Sequence, residues 1–334
     1  MYKKRKIVIV LFVATFILLL TDLLVKTIFT EKKVTVKTFY PNEVNRIFIS
    51  CLNDFGIEES NIKVKKLKVK GVDTAITNYL INTPKDLRMV EFISSLNELL
   101  YFNGVVISGK ELIINKDSEI ILENNGNILF AAKFVYNEKF IRTENRFSII
   151  VDGIEDLNND ELEILLDTPA DICFTILPST NGEHLLEKII KHGKYYAIEI
   201  DDNVDDPFYI MNEDQHPEKI IKSLSQVLKK FSHTNFIVLN DKSEFYKSSK
   251  FKFITKNIPS GFISKNVTEL INLGDREPAE LVSLFKFYAE KKESIKKYFF
   301  FTTKQFFIIK EEMLRLKKKG NNILPPYKLY ELNY

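Results

Sequence analysis

FSIIVDGIEDL at Phe147–Leu157, NNDELEILLDTPADICFTILPS at Asn158–Ser179 and TNGEHLLEKIIKHGKYYAIEIDD at Thr180–Asp202 together form the stretch that decides the fold. Three short apolar runs, Phe147–Val151, Ile172–Leu177 and Tyr195–Ile200, read as buried strands. Between them, Asp160–Leu166 and Glu183–Lys191 carry apolar residues at helical spacing. Strand, helix, strand, helix, strand predicts a parallel sheet covered by helices. Each strand ends in polar residues: Asp152, then Pro178 and Ser179, then Glu199 and Asp201. Ligands in such folds bind at the carboxyl ends of the strands, so a site is expected near Asp152, Ser179 and Glu199.

Toward the C-terminus the alternation continues. An acidic loop (Asp201, Asp202, Asp205, Asp206) ends at Pro207, and Glu218–Phe231 reads as an amphipathic helix. Phe236–Leu239 is an expected strand, Ser243–Ser248 a short helix, Phe251–Ile254 a strand and Gly261–Ile263 another. Glu277–Lys291 is a helix, Tyr298–Phe301 an aromatic strand, and Lys304–Lys319 a final helix closed by Gly320. Residues 146–334 are therefore expected to form a distorted (β/α) barrel, closed or nearly so. Toward the N-terminus, residues 39–140 predict a small α+β domain. A helix starts at Pro41, strands follow at Ile62–Val69 and Ala75–Ile81, and a second helix spans Leu87–Leu100. Three strands, Val105–Ile114, Glu119–Glu123 and Ile128–Val135, complete it, with Asn125-Gly126 as a hairpin signal. Phe134–Arg146 is read as the link between the domains.

The chain begins MYKKRK, and Ile7–Leu20 then runs without a charge. Asp22 interrupts the apolar character, which resumes through Val25. A basic flank (1–6) before an apolar run predicts a transmembrane signal anchor at 7–25, followed by a polar stalk at 26–38. Positive charge before the span places the N-terminus in the cytoplasm and the bulk of the chain outside it. The expected partner of this segment is the cytoplasmic membrane, crossed once.

A length of 334 residues allows one large domain or two modest ones. The net charge of +3 arises from interspersed Lys and Glu, which gives no footprint for nucleic acid. The two cysteines, Cys51 and Cys173, fall in different expected domains and read as buried free thiols. Cys-x-x-Cys and His-x-x-x-His spacings are absent from the sequence, which argues against a structural zinc site.

IIVDG at 149–153, FTILPS at 174–179 and HGKYYAIEID at 192–201 resemble the divergent polysaccharide deacetylase family. The resemblance covers roughly the second half of the chain. It implies a distorted (β/α) barrel preceded by a small α+β domain. In the deacetylases of the wider fold it also implies a metal held by one Asp and two His. The family's first strand ends Asp-Asp; here it ends Asp152-Gly153. The family's third strand ends in His-Leu-Pro-Met; here Glu199 stands at the His position, followed by Ile200, Asp201 and Asp202. The family's Asn-Asn-His-Met-Gly motif has no counterpart; His184, His192 and His233 read as surface residues, and so does His216, although its loop is the one that could approach the site.

Losing several ligands at once removes most of the charge stabilisation a metal supplies. The first expectation is thus a membrane-anchored envelope protein with a deacetylase-like, catalytically degenerate domain. It would hold no cofactor and would bind an envelope glycan or an envelope protein. The alternative is a metal-dependent carbohydrate deacetylase or hydrolase with an altered site. There Asp152, Glu199 and Asp201 would hold a hard divalent cation through oxygen atoms alone. Asp152 is the catalytic candidate, and Pro178, Ser179 and Asp202 are the candidate binding surface. A third reading treats the barrel as a scaffold, with the anchor and the small domain carrying the function.

Overall fold

The computed structural model describes residues 41–67, 76–101, 104–113, 117–142, 145–204, 206–292 and 295–332. They divide into two compact units: one holds 41–51, 60–82 and 88–136, the other 52–59, 83–87 and the chain from 137 onward. The expected anchor at 7–25, with its flank and stalk, lies outside the described residues. Among those described, no helix is long and apolar enough to cross a membrane.

The first unit contains α1 (Pro41–Asp54) except its last turn, β1 (Ile62–Leu67), β2 (Ile76–Thr83) except its last residue, α2 (Met89–Leu100), β3 (Val105–Glu111), β4 (Ser118–Asn124) and β5 (Asn127–Tyr136). Its sheet has the order β1-β2-β5-β4-β3. Asn125 and Gly126, with φ of 50° and 77°, take the left-handed pair that a tight hairpin between β4 and β5 requires. Alternate residues on those strands are buried: Ile120 and Leu122 on β4, and Phe130, Ala132 and Phe134 on β5. Rings from both helices join them, Phe48 lying 4.8 Å from Phe130 and Phe92 5.3 Å from Phe134. β5 runs three residues, Phe134–Tyr136, into the segment read as a linker.

The second unit is the α/β alternation foreseen from Phe147–Asp202. β6 (Arg146–Asp152), α3 (Asn159–Leu166), β7 (Cys173–Ile176), α4 (Thr180–Lys191) and β8 (Tyr195–Ile200) come first. Next are α5 (Pro217–Lys230), β9 (Phe236–Leu239), α6 (Glu244–Lys247), α7 (Lys252–Asn257) and β10 (Ile263–Asn266). α8 (Pro278–Glu290), β11 (Lys297–Thr302), α9 (Thr303–Lys318), β12 (Asn322–Ile323) and α10 (Pro326–Glu331) complete it. The strand order is β10-β9-β8-β7-β6-β11, with β12 beside the start of β6, and the pairings are parallel. Ile271, five residues after β10, makes a parallel bridge to Phe299 of β11 at the far edge. The sheet therefore curls until its two edges nearly meet, as a distorted barrel requires.

One expected strand is a helix instead. Phe251–Ile254 lies at the start of α7, because Phe251, Ile254 and Ile258 recur at three and four and all turn to the core. A short apolar run does not by itself separate the two states. Cys51 and Cys173 are both buried, as read from the sequence.

Alternation along the parallel strands gives the sheet two faces. Phe147, Ile149 and Val151 of β6, Phe174 and Ile176 of β7, and Ile198 and Ile200 of β8 pack against the helices in the main core. The other face is the lumen, where Ile150, Cys173, Ala197, Val238 and Phe300 form a second cluster. Leu329 of α10, fully buried, joins Phe236 and Tyr298 at the end of the lumen where the strands begin.

Candidate functional site

At the other end of the lumen the strands finish in acids. Asp152 closes β6 and shares the parity of Ile150, so it belongs to the lumen face. Thr175 of β7 follows Cys173 by two residues and donates its hydroxyl to Asp152 Oδ1 at 2.5 Å. Glu199 of β8 follows Ala197 by two, is 7% exposed, and is hydrogen bonded to Asp152. Burial first, and then the charge and hydrogen bond of Asp152, push the Glu199 carboxyl well above its ordinary range; Asp201 and Glu155 add to the effect. The shift favours the protonated form of Glu199, which in that form donates to Asp152.

The turn after β6 brings up a further acid. Gly153 has φ of 80°, a left-handed conformation that costs a residue with a Cβ about 1 kcal/mol. That turn lets Glu155 reach back and accept the N–H of Leu177 at 3.2 Å. Burial raises the Glu155 carboxyl, and the charges of Asp152 and Asp156 act in the same direction. Glu155 ties the ends of β6 and β7 together and was not singled out from sequence.

Asp201 is 5% exposed and belongs to a neighbouring network. Its carboxylate accepts from Asn240 Nδ2 at 2.6 Å and from both the backbone and side-chain nitrogens of Asn203 at 3.2 and 3.1 Å. Burial, and then a hydrogen bond with Asp202, raise the Asp201 carboxyl. Asp202 is lowered by its bond to Asp201, and it also accepts the N–H of Phe245 at 3.2 Å. This pair ties the end of β8 to β9 and α6.

The remaining expected residues are placed as follows. Pro178 is buried. Ser179 is half-buried and caps α4: its Oγ accepts from Gly182 N at 2.9 Å and donates to Leu177 O at 3.3 Å. The histidines lie elsewhere. His184 is exposed on α4, and His192 follows that helix with Nε2 3.2 Å from Glu163. His216 precedes α5, and His233 is exposed in the turn before β9.

Among the described residues, no three His, Cys, Asp or Glu side chains converge in an arrangement that would hold a metal ion. The donors present do not fit the metal that the resemblance implies. Imidazole is absent from the pair, Gly153 offers no side chain, Asp152 and Glu199 satisfy one another, and Asp201 is bonded to asparagine amides. What the arrangement does chemically is set two hydrogen-bonded carboxyls, one of them favouring its protonated form, at the end of the lumen where the strands finish.

No family model matches the chain, and no curated protein matches it. Among solved structures, the chain is similar to the wild-type form of a CE4-family pseudoenzyme from Bacillus anthracis. Identity there is 8% and the TM-score 0.40, over 67% of this chain and 90% of that one. It is also similar to the Xyl-CE4 domain of a multidomain xylanase from the hindgut metagenome of Trinervitermes trinervoides, at 13% identity and a TM-score of 0.36, over 56% and 90% of the two chains. A polysaccharide deacetylase from Bacillus cereus is similar at 10% identity and a TM-score of 0.34, over 55% and 93%.

Proposed function

We propose that this protein is a glycan-binding protein of the cell envelope, with a deacetylase-like barrel that does not hydrolyse, held at the cytoplasmic membrane by residues 7–25. The observation that carries the reading is the Asp152–Glu199 pair. Amide hydrolysis by a bound metal needs open ligands around an activated water. Here the one retained carboxylate accepts from Thr175 and is hydrogen bonded to Glu199, and the carboxylate expected beside it is Gly153. The motif resemblance at 149–153, 174–179 and 192–201 supports a carbohydrate as the ligand class. The basic flank and apolar run at the N-terminus support the membrane placement.

The test is an incubation of the full chain with acetylated oligosaccharides in the presence and absence of Zn²⁺, following both acetate release and retention of the sugar. The expected result is retention without acetate. Acetate release that disappears in Asp152→Asn would overturn the reading in favour of a hydrolase. Capture of an envelope protein with no sugar retained would overturn the ligand class. Cell fractionation tests the anchor: the chain is expected with membranes, and a version lacking residues 7–25 is expected to leave them.

A further inference from the structure

The strand-start end of the barrel carries a cleft of about 290 Å³ that the acid pair does not explain. Its walls include Tyr195 and Tyr196 at the start of β8, Phe236 at the start of β9 and Tyr327 on α10. Lys194 and His233 also line it. Tyr195 lies four residues from Glu199 on one strand, roughly 13 Å away at about 3.3 Å per residue. This is therefore a different place from the acid pair.

The donors in the cleft are incompletely used. The Lys194 ammonium donates to the carbonyl oxygens of Thr168 and Ala170, the latter at 2.9 Å. An ammonium has three N–H groups, so one is left for a ligand. The Tyr196 hydroxyl accepts the His233 N–H at 2.9 Å, which leaves its own O–H to donate. Tyr195 and Tyr327 face each other obliquely, with centroids 6.1 Å apart and planes at 58°, and both rings are half-buried. Two open aromatic rings beside two spare donors suit a ring with an apolar face and oxygen acceptors around its edge. A wholly apolar ligand would leave the remaining N–H of the half-buried ammonium and the O–H of the buried Tyr196 unpaired, which costs free energy.

We infer that this cleft, formed by Tyr195, Tyr196, Phe236 and Tyr327 with Lys194, is a second binding site, and that it takes a single pyranose ring of a glycan. The inference stands independently of ligand binding at the acid pair. Its test is saturation-transfer NMR on the full chain with the methyl pyranosides of glucose, galactose, mannose and N-acetylglucosamine, each at about 10 mM, and with p-cresol as an aromatic control. At least one glycoside is expected to bind. Its affinity is expected to fall about tenfold or more in Tyr327→Leu and in Tyr195→Leu. The leucine variants keep apolar bulk, and circular dichroism confirms that each is folded before its binding is compared. Binding of no glycoside, binding of p-cresol alone, or glycoside binding that is lost in Glu199→Gln but kept in both leucine variants would each overturn the inference. The last result would return the sugar to the acid pair.

Discussion

On β6, Phe147, Ile149 and Val151 turn to the helices, while Ser148, Ile150 and Asp152 take the opposite parity and belong to the lumen. On β6 the helix-covered face is apolar from one end to the other, and Phe299 and Phe301 continue it on β11 with stacked rings, beyond a buried Lys297 that donates to the carbonyl oxygens of Ala289 and Lys291. The lumen face changes character along its length: aromatic and aliphatic where the strands begin, acidic where they end. The same strands thus build a largely apolar core on one side and a graded interior on the other. The difference teaches that the function of this barrel has to be sought on the face where residue type varies.

The helix-covered face should give the largest loss when cut. Phe299 is fully buried and lies 5.1 Å from Phe285 and 5.6 Å from Phe147. Phe299→Ala is expected to cost about 3–5 kcal/mol in chemical denaturation, because it removes a ring from a close-packed core. Leu329→Ala probes whether the strand-start end of the lumen is packed as tightly. A fully buried leucine there predicts a loss of about 2–4 kcal/mol. A loss near zero would show that α10 lies loosely against the lumen and would break the comparison.

Smaller effects are expected at the acidic end. Thr175→Val keeps the shape of the side chain and removes the hydroxyl that Asp152 accepts, so a loss of about 1–2 kcal/mol is expected by the same measurement. Glu199→Gln should change stability least at acidic pH, by about 1 kcal/mol or less. Its effect should then grow with pH in a definite direction. The folded chain keeps a proton on Glu199 that the unfolded chain releases near the ordinary glutamate value of 4.5. Wild-type stability therefore loses this contribution as pH rises from there toward the raised folded value, and Gln does not titrate. Urea denaturation at a series of pH values should show the variant gaining on the wild type as pH rises.

Much of the parallel sheet was legible because its strands are buried on both faces, which writes them as unbroken apolar runs. Tyr195–Ile200 and Phe236–Leu239 coincide with β8 and β9 end to end. Phe251–Ile254 was misread because four residues are too few to separate a strand from the first turn of a helix. Asp152 and Glu199 were expected close together from their place at strand ends, and the structure brings them into hydrogen-bond contact. Thr175 and Glu155 were missed. Thr175 sits inside an apolar run, and only its parity with Cys173 signals that it joins Asp152 in the lumen. Glu155 depends on the left-handed turn at Gly153, and a glycine alone does not reveal where a turn points. The asparagine partners of Asp201, Asn203 and Asn240, come from loops whose paths a periodicity argument does not give.

The most direct test of the account is the titration of Glu199 itself. Carbon-13 NMR of the full chain labelled at glutamate side-chain carboxyls would follow every glutamate from acid to neutral pH. One carboxyl resonance is expected to stay in the protonated position well above the ordinary glutamate range and to be absent from Glu199→Gln. If all glutamates ionise in the ordinary range, Asp152 and Glu199 do not share a proton, and the site stands open to a cation after all.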